Sequence, residues 1–166
     1  MNYEQSINYI HSIPKFRRPL GNANLEKLLT HLDNPQKKLK FIHIAGTNGK
    51  GSTAAMTAEI LKKSGFKTGL FTSPYLEVFN ERIRINGENI TDNDLAEYVT
   101  RVKTIMEENN ALVSEFAFIT AVSFLYFYEK QCDIVVLEVG MGGKLDATNV
   151  IDSSLVSVIC KICLLY

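Results

Sequence analysis

Lys40-Phe41-Ile42-His43-Ile44-Ala45-Gly46-Thr47-Asn48-Gly49-Lys50-Gly51-Ser52 is the stretch that decides the fold. An apolar run of strand length meets a turn of three glycines, a lysine and hydroxyl residues, and an alanine-rich helical pattern follows over 52–63. A buried strand that feeds a glycine-rich turn into a helix can cradle phosphate. Glycines let successive N–H groups point at one anion, and the helix adds its positive end. Lys50 supplies a mobile charge for the terminal phosphates. The stretch therefore predicts a nucleoside triphosphate site, with Gly46, Thr47, Asn48, Gly49, Lys50, Gly51 and Ser52 as its cradle.

Its spacing is unusual. In the common pattern G-x-x-x-x-G-K-[ST] the leading glycine would fall at Ile44, yet here it is Gly46, and Gly51 stands where a Ser or Thr normally meets magnesium. The hydroxyl must come from elsewhere, with Ser52, Thr53 and Ser73 as candidates.

Outward from this stretch, short apolar runs alternate with longer helical patterns, which predicts an α/β domain of P-loop type with a mostly parallel sheet flanked by helices. Two helices precede the first strand. In the second, Leu25, Leu28, Leu29 and Leu32 share one face, and Pro35 ends it. A second strand is expected at 68–71, then a polar loop over 72–80. Arg82-Ile83-Arg84-Ile85 before Asn86-Gly87 reads as one arm of a hairpin. Thr91 with Asp94 suggests a capping box opening a helix to about 108. The next helix, from about Ser114, is apolar on too many sides for a surface position. Strands are expected at 133–139 and 154–159.

A second constellation closes the 133–139 strand, where Ile134-Val135-Val136-Leu137 leads to Glu138 and Gly140-Met141-Gly142-Gly143. A carboxylate at the carboxyl end of a parallel strand lies in the crevice where such sheets bind ligands. There Glu138 can hold magnesium; alone, it would read as a salt-bridged strand end. Asn80-Glu81-Arg82 is a polar cluster that offers a substrate contact. His43 reads as a hydrogen-bonded core residue, and His11 and His31 as surface helix positions.

Composition bounds the rest. The 166 residues are 46% hydrophobic, enough for a real core, and 18 basic residues balance 18 acidic ones. No overall field draws the chain to nucleic acid or an anionic membrane. No run approaches the ~20 apolar residues of a membrane span, and the N-terminus lacks a signal pattern, so a cytoplasmic protein is expected. Cys132, Cys160 and Cys163 are expected as reduced thiols. Cys160 and Cys163 lack the further ligands of a structural zinc site.

Together, Gly46 to Ser52, Thr72-Ser73-Pro74-Tyr75-Leu76, Phe79-Asn80-Glu81-Arg82-Ile83 and Glu138-Val139-Gly140-Met141-Gly142-Gly143-Lys144-Leu145-Asp146-Ala147-Thr148-Asn149 resemble the folylpolyglutamate synthase and dihydrofolate synthase family of the Mur ligase superfamily. The resemblance covers essentially the whole chain. It implies part of a Mur-ligase ATPase domain and an ATP-dependent ligase adding L-glutamate to a folate, whose carboxylate is first phosphorylated. Tetrahydrofolate polyglutamylation is the reaction implied, with dihydropteroate conversion to dihydrofolate as a further possibility. ATP and Mg2+ are the implied cofactors, and folate and L-glutamate the substrates, in a full-length monomer.

Carried over by position, Lys50 and Glu138 fall in the catalytic machinery and Ser73 and Glu138 match magnesium ligands. Ser73, Pro74, Tyr75, Asn80 and Arg82 border the folate pocket, with Tyr75 standing where many members have His. The family's Gly-x-Asp-His segment, whose His is another magnesium ligand, aligns with Cys163-Leu164-Leu165-Tyr166 and is not matched. The expectation is a single, incomplete N-terminal ATP-binding domain (1–166) without the C-terminal domain, inactive alone and prone to self-association. Alternatives are another Mur-type amino-acid ligase and a non-catalytic nucleotide-binding module.

Overall fold

The computed structural model describes residues 1–16 and 21–163. Helix α1 (Tyr3–Ser12) opens on a capping box in which Asn2 accepts from the Gln5 amide and the Gln5 side chain answers the Asn2 amide. Helix α2 (Ala23–His31) buries Leu25, Leu28 and Leu29, and Leu32 caps it. Pro35 lies beyond that end and begins a 3-10 turn, Pro35–Lys38.

Strand β1 (Phe41–Ala45) leads through the glycine loop into α3 (Lys50–Lys63), two residues earlier than the sequence suggested. Strand β2 (Thr68–Phe71) is followed by a loop, a 3-10 turn (Phe79–Arg82) and the hairpin of β3 (Ile83–Ile85) and β4 (Glu88–Asn89). Asn86 and Gly87 both take positive φ, 50° and 84°, as a two-residue hairpin turn of the tight mirror-image type requires. Helices α4 (Asp92–Glu108) and α5 (Glu115–Glu129) precede β5 (Ile134–Glu138), a 3-10 turn (Ala147–Val150) and β6 (Val156–Ile159).

At the start of α4 the Thr91 hydroxyl accepts from the Asp94 amide, but the reciprocal bond of a capping box is not made. The Asp94 carboxylate instead meets Lys130 at 3.1 Å. Thr91 caps alone.

The strands form one sheet in the order β4-β3-β2-β5-β1-β6. The four strands β2, β5, β1 and β6 run parallel, and the antiparallel hairpin closes the β2 side. Helix α3 covers one face, burying Ala54 against Ile44, Leu70 and Val136. Helix α5 covers the other and is buried at every residue from 117 to 127. Phe124 meets Phe41 at 5.5 Å between ring centroids, and Phe116 meets Phe71 at 5.8 Å. Phe127 lies against Gly69, where a Cβ would come within 2.8 Å of the ring. Each fully buried Phe contributes about 1.5–3 kcal/mol of apolar transfer. Thr120 and Ser123 satisfy their hydroxyls on the helix backbone, so the polar members of α5 leave no cost inside the core.

No helix among the described residues is long and apolar enough to cross a membrane. The thiols of Cys132, Cys160 and Cys163 are free.

Strand β6 pairs with β1 on one side and, among the described residues, with nothing on the other. Leu155, Val156, Ile159 and Ile162 are 59%, 50%, 70% and 74% exposed. An open strand edge with apolar neighbours is a template for pairing with another chain. Sedimentation velocity should therefore show concentration-dependent association, reduced by the double substitution Val156→Lys and Ile159→Lys. A sharp monomer at every concentration would contradict this.

Candidate functional site

Parallel register brings three chain segments to one edge of the sheet. Ile44 pairs with Glu138, and Leu137 with Phe71, so the ends of β1, β5 and β2 lie level. The glycine loop follows β1, the Ser73 loop follows β2, and Glu138 is the last residue of β5.

The glycine loop is tightly specified. Gly46 has φ 138°, and a Cβ there would lie 2.8 Å from the Cβ of Cys160, so conformation and space both demand glycine. The Thr47 and Asn48 amides donate to the carbonyl of Lys161, at 2.9 and 3.3 Å. These two are therefore taken by the chain itself, which narrows the cradle expected over 46–52. No side chain caps the N-terminus of α3, leaving the amides of its first turn, Lys50, Gly51 and Ser52, available to an anion. The Lys50 ammonium rests near the carbonyl of Thr47, 3.4 Å away.

Glu138 faces this turn. It is 3% exposed, and both its carboxylate oxygens lie 3.6 Å from where a Cβ on Gly51 would sit. One oxygen accepts from the Ser73 amide at 3.0 Å. No described cation forms an ion pair with Glu138, so the salt-bridged alternative fails. Burial raises the carboxyl above its ordinary range, against smaller opposing effects of the Ser73 amide and Lys50.

Among the three candidate hydroxyls, Thr53 is turned to β6 and accepts from the Cys160 thiol at 3.4 Å, and Ser52 is exposed. Ser73 lies beside Glu138, and its hydroxyl has no partner among the described residues. No group of three or more His, Cys, Asp or Glu side chains could hold a metal among the described residues. The donor set is one carboxylate and one hydroxyl next to the uncapped amides at the start of α3. That set suits a cation carried in with phosphates, not a preformed cage.

Beside this edge opens a cavity of about 870 Å³. Ser73, Pro74, Tyr75 and Arg82 are together on its wall, which Met141 and Leu145 also line. The Arg82 guanidinium lies over the rings of Tyr75 and Phe79, at 5.2 and 5.3 Å, and its buried Nε has no hydrogen-bond partner. Burial lowers its proton affinity, which the Glu115 charge partly opposes. Asn80 is a correction. It is 6% exposed and its amide donates to the Ile90 carbonyl and the Asp92 carboxylate, at 2.7 and 2.9 Å. Its amide ties the hairpin to α4, its Oδ1 has no hydrogen-bond partner, and it is not among the residues that line the cavity.

Sequence reasoning missed several members of this wall. His11, exposed on its helix as expected, also reaches Glu115 at 3.1 Å, and both line the cavity with Asn22 and Phe116. Nothing local marks them, because they come from three helices brought together only by packing. Glu81, a member of the polar cluster expected to offer a substrate contact, turns to the chain instead: its carboxylate accepts from the amides of Leu76, Glu77 and Val78, at 2.8, 3.0 and 2.9 Å, and ties down the loop carrying Ser73 and Tyr75. A carboxylate following a proline-containing loop is the signal that could have found it. The Leu164-Leu165-Tyr166 segment, where a metal-binding His was not matched, lies outside the described residues.

Fold and site together define a P-loop-type α/β domain of the Mur-ligase kind. No protein-family model matches the sequence. Folylpolyglutamate synthase of Lacticaseibacillus casei is 43% identical over 169 residues, 99% of this chain and 39% of that protein. Dihydrofolate synthase/folylpolyglutamate synthase of Bacillus subtilis is 39% identical over 155 residues, 90% of this chain and 36% of that protein. A solved complex of folylpolyglutamate synthase with AMPPCP and folate superimposes with a TM-score of 0.94 at 42% identity, covering 100% of this chain and 42% of that one. The chain belongs with the folylpolyglutamate synthase and dihydrofolate synthase family, and spans about two fifths of the length of these relatives.

The buried carboxyl has a measurable consequence. A raised folded-state value means that Glu138 contributes most stability below its unfolded value, and that this is lost as pH rises through the folded one. Glu138→Gln should therefore raise the Tm at pH 7 by a few degrees. The gap should close as pH falls towards 4.5, the group's ordinary value. A variant less stable than the parent at pH 7 in calorimetry would contradict this.

Proposed function

We propose that this chain carries the ATP and folate sites of an ATP-dependent ligase that joins L-glutamate to a folate. The observation that supports it most is the buried Glu138 carboxylate, without an ion-pair partner among the described residues and level with the uncapped start of α3. A protein tolerates such a group when a ligand supplies the missing charge.

In this reading Lys50 and the amides of Lys50, Gly51 and Ser52 hold the terminal phosphates and neutralise them. Glu138 and Ser73 would hold Mg2+, which fits a buried carboxylate with no ion-pair partner and a hydroxyl with no hydrogen-bond partner among the described residues. Bound there, the ion would spread the negative charge of the phosphates during transfer. Gly51 leaves room for it, since a side chain at that position would point at the carboxylate.

The cavity suits a folate. Its volume lies in the range of small-molecule sites, its walls are mostly apolar, and Tyr75, Phe79 and Phe116 offer rings to a flat heterocycle. Arg82 gives it a half-buried cation whose Nε is unsatisfied, and its guanidinium would meet an anionic part of such a ligand. Ser73 borders both cavity and carboxylate, so a carboxylate seated beside it would lie near the terminal phosphate, as phosphoryl transfer demands. The solved relative with AMPPCP and folate supports the same pair of ligands.

Calorimetric titration of the chain with AMPPCP and Mg2+ should show binding that Lys50→Met weakens about tenfold or more, as loss of a charge-assisted contact implies. Folate, followed by fluorescence quenching, should bind about tenfold more weakly to Arg82→Leu, with nucleotide affinity unchanged. Nucleotide binding indifferent to Lys50→Met would contradict the proposal. So would displacement of folate by UDP-linked muramic acid precursors, which would favour a cell-wall amino-acid ligase.

A further inference from the structure

His43 does more than fill the core. It lies on β1, three residues before the glycine loop, and its Nε2 is 2.9 Å from the hydroxyl of Thr148 on the 3-10 turn Ala147–Val150. That hydroxyl lies 2.6 Å from Asp146 Oδ1, which also accepts the Thr148 amide at 3.0 Å. The second oxygen of Asp146 accepts the Met141 amide at 2.8 Å. Thr148 is 0% exposed and Asp146 is 7% exposed, so water cannot stand in for a lost partner.

Proton counting fixes the direction of this chain of bonds. A threonine hydroxyl has one proton, and an ionised carboxylate can only accept it. The Thr148 proton therefore points at Asp146, and His43 must donate from Nε2 to the remaining lone pair. The neutral ring then carries its proton on Nε2, leaving Nδ1 bare. Burial, which lowers the proton affinity of His43 against the opposing charge of Asp146, is consistent with a neutral ring.

The receiving end of the relay is the wall of the cavity. Residues 140–143 are Gly140, Met141, Gly142 and Gly143, a composition with little conformational preference of its own. Asp146 holds this segment through its carboxylate to the Met141 amide and through its own amide to the Gly143 carbonyl, at 2.8 and 2.9 Å. Its carbonyl also accepts from Asn22, another residue of the cavity lining, at 2.9 Å. Met141 and Leu145, 72% and 62% exposed, project from the segment that Asp146 ties down, and both line the cavity.

We infer that His43 is a positioning residue: through Thr148 and Asp146 it fixes the glycine-rich wall of residues 140–146, and so sets the affinity of the cavity for its flat heterocyclic ligand. Hydrogen bonds in series polarise one another, so the His43 donation strengthens the Thr148 to Asp146 bond. The ligand part of this inference rests on the folate reading of the cavity; the relay does not.

Three measurements on the 166-residue chain test it. Nitrogen-15 NMR of the unsubstituted chain at pH 7 should show His43 as the Nε2–H tautomer. Hydrogen exchange of the Met141 amide should quicken about tenfold in His43→Leu, which cannot donate, and folate should bind about tenfold more weakly. His43→Gln, whose side-chain amide can donate at a similar reach, should restore both to within about threefold of the parent. An Nδ1–H tautomer would overturn the proposal, and does not depend on any variant folding. Unchanged Met141 exchange in His43→Leu, or a His43→Gln no better than His43→Leu, would overturn it equally. If the unsubstituted chain binds no folate, the cavity assignment fails, and tautomer and exchange still decide the relay.

Discussion

The parallel pairing of β1 with β5 is the constraint on which the rest depends. Because Ile44 lies opposite Glu138, the turn that leaves β1 and the carboxylate that ends β5 must share one crevice. A shift of one residue would send Glu138 to the other face of the sheet. The register is held by what packs on both sides, with Ile44 and Val136 under α3 and Phe41, Val135 and Leu137 under α5. The apolar pattern of the strands thus fixes the position of a charge.

The crevice is kept polar at a cost in stability. Uncapped amides at the start of α3 and a carboxylate without a cation are both unfavourable alone, and they face each other across the space left by Gly51. A ligand with phosphates and a divalent ion would satisfy both. The same economy governs the neighbouring cavity, where Arg82 keeps a buried donor unpaired while rings shield it from water. Around these groups the irregular segments are tied by carboxylates. Glu81 gathers three amides of the loop after β2, and Asp146 holds the loop after β5.

Much of this was legible in the sequence, because it is written in local patterns. The strand, glycine turn and helix at 40–63, the uniformly apolar α5, and the Asn86-Gly87 turn each carry their own signal. Glu138 was legible as a strand end, and Ser73 through its motif. The order of the strands was not, since parallel pairs are chosen by packing between segments far apart in the chain. Nor was the cavity, which needs α1, α2 and α5 to meet. Asn80 misled because a polar residue in a motif looks the same whether it binds a ligand or braces a turn; only its bonds to Ile90 and Asp92 tell the two apart. The loss of the Thr47 and Asn48 amides to Lys161 depends on β6 and was equally invisible.

The central claim is that Glu138 and the glycine loop form one site for a metal-bound triphosphate. The most direct test is the dependence of AMPPCP affinity on Mg2+ in the parent chain and in Glu138→Gln, a substitution that removes the charge and keeps the shape. Affinity should rise about tenfold or more with Mg2+ in the parent and stay flat in the variant. An equal rise in both would contradict the account, and would mean that the carboxylate at the end of β5 plays no part in holding the ion.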